Sequence, residues 1–521
     1  MTTHTHAKHG AHQPGQPDPL PDPLPADLDP IRDEAFGYEQ ARHLLLRAGF
    51  GGTPEQINTL AGWGARRAVD YLVDLEGPEP DDTAARFDPG AAVGLTAEER
   101  RLYRVAQRRR DEDTLARLRR KRQQARRNDR EQIASMQRWW LERMIETPRP
   151  LEEKMTLFWH GHFASSYRKV ENSYHMLMQN RLLRAHALGS FAALMHGIIR
   201  DPAMLRYLDN DRSRAGSPNE NLARELMELF GLGEGNYAER DIKEGARALT
   251  GYTFRGNSFH FDEDNHDRGT KTILGHRGAL DGDGFVRAIL AQRAASELVA
   301  RKLYHFFVRH PEETAGDART ERFIARLAGV LRSSDYQLRP AMRALLRSRH
   351  FYDPRVMNRR VKSPAELVVG AVRTLRAPPR DPGALVRAMA LMGQELFFPP
   401  SVAGWEGGRS WINTSTVFVR QNALNFLLTG VTPRGFDGAG GGGEAFDPRH
   451  LVKPLARIDP ASIRDPDRVI EYLLRFTIGS APEHARQALR GFADEHGGVV
   501  SKDLVTGMLV LIAAMPEYQL T

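Results

Sequence analysis

The 521-residue sequence predicts a mainly α protein: a large multi-helical domain with a short extended or hairpin segment near 252–274. Three observations carry that expectation. From Phe36 onward, apolar residues recur at helical spacing almost throughout. Helix starts such as Thr53-Pro54 and Ser217-Pro218, and stops such as Gly49, Gly51, Gly231 and Gly233, punctuate the pattern. Alternation mixed with turn residues is confined to FRGNSFHFDEDNHDRGTKTIL, ending at Leu274.

The elements follow in order. Residues 1–34 hold seven prolines and His4, His6, His9 and His12 but few large apolar groups, so they read as a disordered tail. Ala41, Leu44, Leu45 and Ala48 mark one helix face, and Pro54 opens the next helix, where its missing N–H costs nothing. Helices are expected near 97–128, 130–146, 151–164, 168–187, 189–199, 218–231, 238–249 and 284–307. Others follow near 319–332, 338–348, 363–377, 383–394 and 414–428. The main domain is thus 35–430. GAGGGG at 438–443 marks a flexible linker over 431–447, and 448–521 reads as a small helical C-terminal subdomain.

Composition narrows the function classes. Without cysteine, disulfides, thiolate zinc sites and cysteine nucleophiles are excluded. The longest near-continuous apolar run, Gly507 to Met515, falls far short of the roughly 18 residues of a membrane span. No basic segment precedes an apolar one at the start, so no secretory signal is readable and a cytoplasmic location is the default expectation. Net charge is +8, and 14 Lys/Arg against seven Asp/Glu between Glu98 and Glu131 supply +7 of it. Because that charge sits in one stretch at about 97–131 with a single aromatic, Tyr103, it reads as a long solvated helical arm, and nucleic acid is not the expected partner.

Three segments could carry chemistry. In SPNENLARELMELFGLGEGNY, Leu222, Leu226, Leu229 and Phe230 form a buried stripe at 100° per residue. Asn221, Glu225 and Glu228 flank it, with Glu225 nearest the seam. An acid there must be paired, protonated or metal-bound. LEEKMTLFWHGHFASSYRK offers His160 and His162, which a helix turns about 200° apart unless Gly161 distorts it. The extended segment adds His260, Asp262, Asp264, His266, Asp267 and Lys271. Its spacing fails as a calcium loop, because the turn glycine falls late, at Gly269, and Ile273 stands where a bidentate Glu belongs. A further stretch, FFPPSVAGWEGGRSWINTSTVFVRQNALNF, reads equally as a pocket wall or a packed surface loop. No GxSxG elbow, P-loop, HExxH or strand-linked GxGxxG is present.

These segments, in this order, resemble the bacterial domain-of-unknown-function 1800 family. The resemblance rests on ARHLLLRAGFG (41–51), WWLERMIETPRPLEEKMTLFWHGHFASS (139–166), NENLARELMELFGLGEGNY (219–237), EGARALTGYTF (244–254) and FHFDEDNHDRGTKTILG (259–275). It continues through ARKLYHFFV (300–308), SPAELVVGAVRTLR (363–376) and FPPSVAGWEGGRSWINTS (398–415), covering about 36–430. The resemblance implies no established activity. It implies export in many members, which the missing signal does not match, and a co-encoded partner of the domain-of-unknown-function 1501 family.

Two functions stay open. One is a metal- or ligand-binding enzyme-like protein, a hydrolase for example, with its site between the 219–231 helix and the 259–271 loop. Glu225, His260 and His266 would then hold a divalent metal, joined by His160 or His162, with Asn221, Glu228 and Asp267 orienting them from behind. Glu225, His266 and Lys271 would carry the chemistry, a metal-activated water performing any hydrolysis. The other is a non-catalytic helical assembly or partner-binding protein, whose same polar motifs are salt bridges and caps.

Overall fold

The computed structural model describes residues 24–79, 86–433 and 446–521. Most of the expected tail (1–23) and of the glycine-rich linker (434–445) lies outside them.

The chain is mainly α, with 22 helices and two small antiparallel sheets among the described residues. The first half runs through α1 (Tyr38–Ala48), α2 (Pro54–Val73), α3 (Ala97–Arg109), α4 (Glu112–Glu146), α5 (Pro150–His162), α6 (Tyr167–Val170), α7 (Ser173–Ala185), α8 (Phe191–Ile198), α9 (Pro202–Tyr207), α10 (Asn221–Glu225) and α11 (Glu239–Ala248). Two hairpins follow: β1 (Tyr252–Arg255) with β2 (Ser258–Phe261), and β3 (Lys271–Ile273) with β4 (His276–Gly278). Then come α12 (Gly282–Leu290), α13 (Arg293–Phe307), α14 (Ala318–Ser333), α15 (Leu338–Arg347), α16 (Pro364–Leu375), α17 (Pro382–Leu391) and α18 (Thr414–Thr429). The C-terminal helices are α19 (Arg449–Ile458), α20 (Pro466–Ile478), α21 (Glu483–Glu495) and α22 (Lys502–Ala514).

Two cores hold these elements. The first gathers α1, α2, α8 and α10 to α15 around Phe191, Phe230, Phe285 and Tyr304, with the hairpin aromatics against it. The second gathers the C-terminal half of α4 with α16 to α18 and α20 to α22 around Trp140, Phe397 and Phe426. Helix α5 joins them, giving Trp159 and Phe163 to the first and Leu157 to the second. The C-terminal helices therefore share a core with the preceding ones, and Val361 bridges to Leu520 across that junction.

Several expectations change at the level of local chemistry. The basic arm is a helical hairpin: Arg110 turns left-handed, and the Asp111 side chain accepts from Thr114 N at 3.0 Å to start a new helix. That helix, α4, then runs unbroken for 35 residues, about 52 Å. Residues 24–34 correct the disordered-tail reading. Leu24 is buried, His350 Nδ1 donates to the Pro25 carbonyl, and Ile31 N donates to the Arg347 carbonyl. Their prolines leave carbonyls free to serve as acceptors for the body. Helix α9 was not anticipated, although Asp201-Pro202 is a sound start, Asp201 accepting from Met204 N.

Candidate functional site

The strongest sequence motif does not end as an α-helix. After α10 the backbone widens into a π-helical turn, Leu226–Gly231, closed by Leu232 N and Gly233 N donating to the Met227 carbonyl. The added residue per turn lets Leu226, Met227 and Phe230 all reach the core, with Leu229 only partly buried. Gly231 permits the close approach, since a Cβ there would stand 2.6 Å from Ile289 and from the Leu226 carbonyl. Such turns often occur where function resides.

Glu225 sits at the mouth of this turn, half-buried. Burial pushes its carboxyl up, Glu228 adds to the rise, and Arg224 opposes it. Arg224 itself reaches elsewhere, to Glu239 at 2.7 Å and to Glu220, four residues before it, at 3.3 Å. No hydrogen bond or ion pair engages the Glu225 carboxylate among the described residues. Glu228 accepts from the Tyr237 hydroxyl at 3.0 Å, while Asn221 is exposed and its backbone N–H is capped by Asn219.

The histidines on α5 diverge. The Phe397 backbone N–H donates to His160 Nε2 at 3.1 Å, and the ring packs among Trp140, Phe397 and Trp405. His162 Nε2 donates to the Phe230 carbonyl at 3.0 Å and stands among Phe158, Trp159 and Phe163. Burial lowers both rings to about 3, with Lys302 adding to the effect at His162. Both are therefore neutral core histidines. The loop ahead of α18 closes over this end of α5; Gly404 meets the Gly161 carbonyl too closely for any side chain, so the stretch is a packed loop here.

The hairpin residues are also engaged locally. Alternation along β2 puts His260 on the Thr253 side of the ladder, opposite the Tyr252–Phe261 side. His266 packs against Phe261 at 5.0 Å and donates from Nδ1 to the Thr250 carbonyl at 2.8 Å. Asp267 is gripped by Arg247 through two nitrogens, which holds its carboxyl below the usual range. The Lys271 ammonium, lowered by burial, donates to the backbone carbonyls of Asp267 and Gly269. The expected set of Glu225, His260, His266, His160 and His162 is thus not assembled. Among the described residues no three His, Asp or Glu side chains are grouped to hold a metal ion.

What the same motifs do build is a set of buried ties, ion pairs and arginine–carbonyl bonds, whose individual members the sequence did not point to. Glu153, wholly buried on α5, accepts from Trp140 Nε1 at 2.9 Å, Arg143 Nε at 2.5 Å and Arg184 Nε at 2.7 Å. The next residue, Lys154, donates to Glu366 Oε1 at 2.5 Å, while Arg360 contacts the same oxygen. Glu366 also caps α16 by accepting from Ser363 N, and its carboxyl is held far below the usual range by Arg360 and Lys154 against its burial. Arg47, wholly buried, donates to the carbonyls of Phe307, Val308, Val356 and Thr521. Arg42 donates to those of Phe476 and Thr477. The signal was present in ARHLLLRAGFG and LEEKMTLFW, where charged residues interrupt otherwise apolar helices, but the partners of Arg42, Arg47 and Lys154 lie more than 200 residues away.

The family described as "Protein of unknown function (DUF1800)" matches residues 43–520. That match extends past the 36–430 spanned by the motifs and takes in the C-terminal helices. No curated protein and no solved structure is significantly similar to the chain.

Proposed function

Because the chain belongs to the domain-of-unknown-function 1800 family, whose membership fixes no chemistry, we propose the reading its own geometry supports best: a non-catalytic helical assembly protein. Its polar motifs act as internal ties and caps. One observation carries this: the charged groups of separate motifs are spent on one another, as where Lys154 of the 139–166 block meets Glu366 of the 363–376 block. A single buried carboxylate so neutralised is a poor acid, base or ligand, whereas its removal would strand buried cations. The partner implied by the resemblance, a protein of the domain-of-unknown-function 1501 family, is the first to test for co-purification.

Glu225 favours a second reading, a ligand-binding or enzyme-like site on the π-helical turn. Its carboxylate has no hydrogen-bond or ion-pair partner among the described residues, and Tyr207 and Glu228 lie in its field. A metal there would need ligands that His260, His266, His160 and His162 do not bring to it. The two readings separate by elemental analysis of the chain lacking residues 1–23, with thermal unfolding in added zinc, manganese, iron or calcium. The assembly reading expects substoichiometric metal and an unchanged transition. Stoichiometric metal lost in Glu225→Gln would replace it with the second reading.

A further inference from the structure

The α3–α4 hairpin does not simply point charge at solvent; it encloses a groove of about 890 Å³. From α3 come Arg100 and Arg104, and from α4 come Arg122, Arg126 and Arg130. Two more arginines arrive from far along the chain, Arg168 on α6 and Arg206 on α9. The sequence placed the positive charge in one stretch; folding gives it three walls.

The balance of that charge is uneven. Arg168 is paired with Glu395 at 2.9 Å and Arg206 with Asp211 at 2.9 Å. Arg100 and Arg130 donate to the carbonyls of Leu95 and Arg126, which neutralise nothing. Arg104, Arg122 and Arg126 have no acidic partner among the described residues. The groove's own acid, Asp129, is buried and committed inward, accepting from the Tyr167 hydroxyl at 2.7 Å and from Ser173 N and Oγ. Glu171, also on the wall, is the remaining acidic group there.

We propose that this groove binds a small oligophosphate, a molecule carrying two or more phosphate groups. Three features select that class. The cations are all guanidinium, whose planar donor fork matches phosphate oxygens in pairs. They converge on a concavity whose volume falls in the range of small-molecule sites, roughly 300–1,000 Å³, instead of running along an open face as a nucleic-acid track does. Within the groove seven arginines stand against two acids, Asp129 and Glu171, and Asp129 is already committed inward. Tyr103 and Phe398 give the groove aromatic walls for a flat group attached to the phosphates. This inference is independent of the assembly reading.

The test is calorimetric titration of the full chain with tripolyphosphate, with ATP and with a 30-nucleotide single-stranded DNA. Saturable one-to-one binding of tripolyphosphate or ATP is expected. The pair Arg104→Gln and Arg126→Gln should weaken it at least tenfold, and the outward pair Arg119→Gln and Arg127→Gln should leave it within twofold. Tighter binding of ATP identifies a nucleotide as the ligand source; equal binding identifies the inorganic chain. The proposal is overturned if neither small probe binds, if both arginine pairs weaken binding equally, or if the DNA alone binds. Unchanged thermal transitions in the two double variants rule out misfolding as the cause of any loss.

Discussion

Cations gather in two regions of this molecule, and their partners differ. Around α5 and α16 five of them have acceptors: Lys154 and Arg360 share Glu366, Arg143 and Arg184 share Glu153, and Arg47 takes four backbone carbonyls. In the α3–α4 groove at least three guanidinium groups face solvent with no carboxylate among the described residues. The first arrangement fixes one packing of distant segments, because an unmatched buried charge is very costly. The second costs little to maintain in water and leaves capacity for an outside anion. Charge inside this protein is architecture, and charge left unmatched in the hollow is where a ligand is to be sought.

That contrast can be broken most sharply at Glu366. Glu366→Ala should destabilise the chain by about 3–5 kcal/mol, since Lys154 and Arg360 would remain buried without their carboxylate; the denaturant midpoint reads this. A near-neutral result would mean that water or movement already neutralises the cluster.

The pH dependence follows with a definite sign. The carboxyl of Glu366 is held below its ordinary value in the folded chain. Its contribution is therefore complete above the unfolded value of about 4.3 and is lost as pH falls further. Thermal unfolding between pH 7 and 3 should show a steep loss for the wild type and a shallower one for Glu366→Gln.

Glu225 should respond in the opposite direction, and weakly. Its carboxyl is raised by burial and by Glu228, so ionising it costs stability as pH rises through the acidic range. Glu225→Gln should gain less than about 1 kcal/mol at pH 7 after solvent screening, and nothing near pH 3. A loss on this substitution would reveal a partner for the carboxylate and a structural role. Smallest of all, Arg104→Gln with Arg126→Gln should shift stability by no more than about 0.5 kcal/mol, because nothing in the folded chain depends on those groups.

The sequence carried much of the fold and little of the site. Apolar spacing and caps marked the helices, since those signals are local: Thr53 and Ser363 both accept from the N–H three residues on, as their S/T-x-x-E/Q patterns foretell. The hairpin near 252–274 was legible for the same reason. The extra residue in the 226–231 turn was not, because it answers to Ile289 against Gly231 across the fold. His160 and His162 looked like ligands because residue type is visible and the occupied lone pair or N–H is not. Glu153 and Lys154 do not stand out in the sequence, because their partners Arg184 and Glu366 reach them only through the fold. The groove was missed because Arg168 and Arg206 join it only through tertiary structure.

The most direct measurement is the coupling energy between Lys154 and Glu366, from a double-mutant cycle of Lys154→Met and Glu366→Gln followed by chemical denaturation. If the polar motifs are internal ties, the double variant should be less destabilised than the two single effects together, by more than about 1 kcal/mol. Additivity within about 0.3 kcal/mol would contradict that account and return these residues to the search for chemistry.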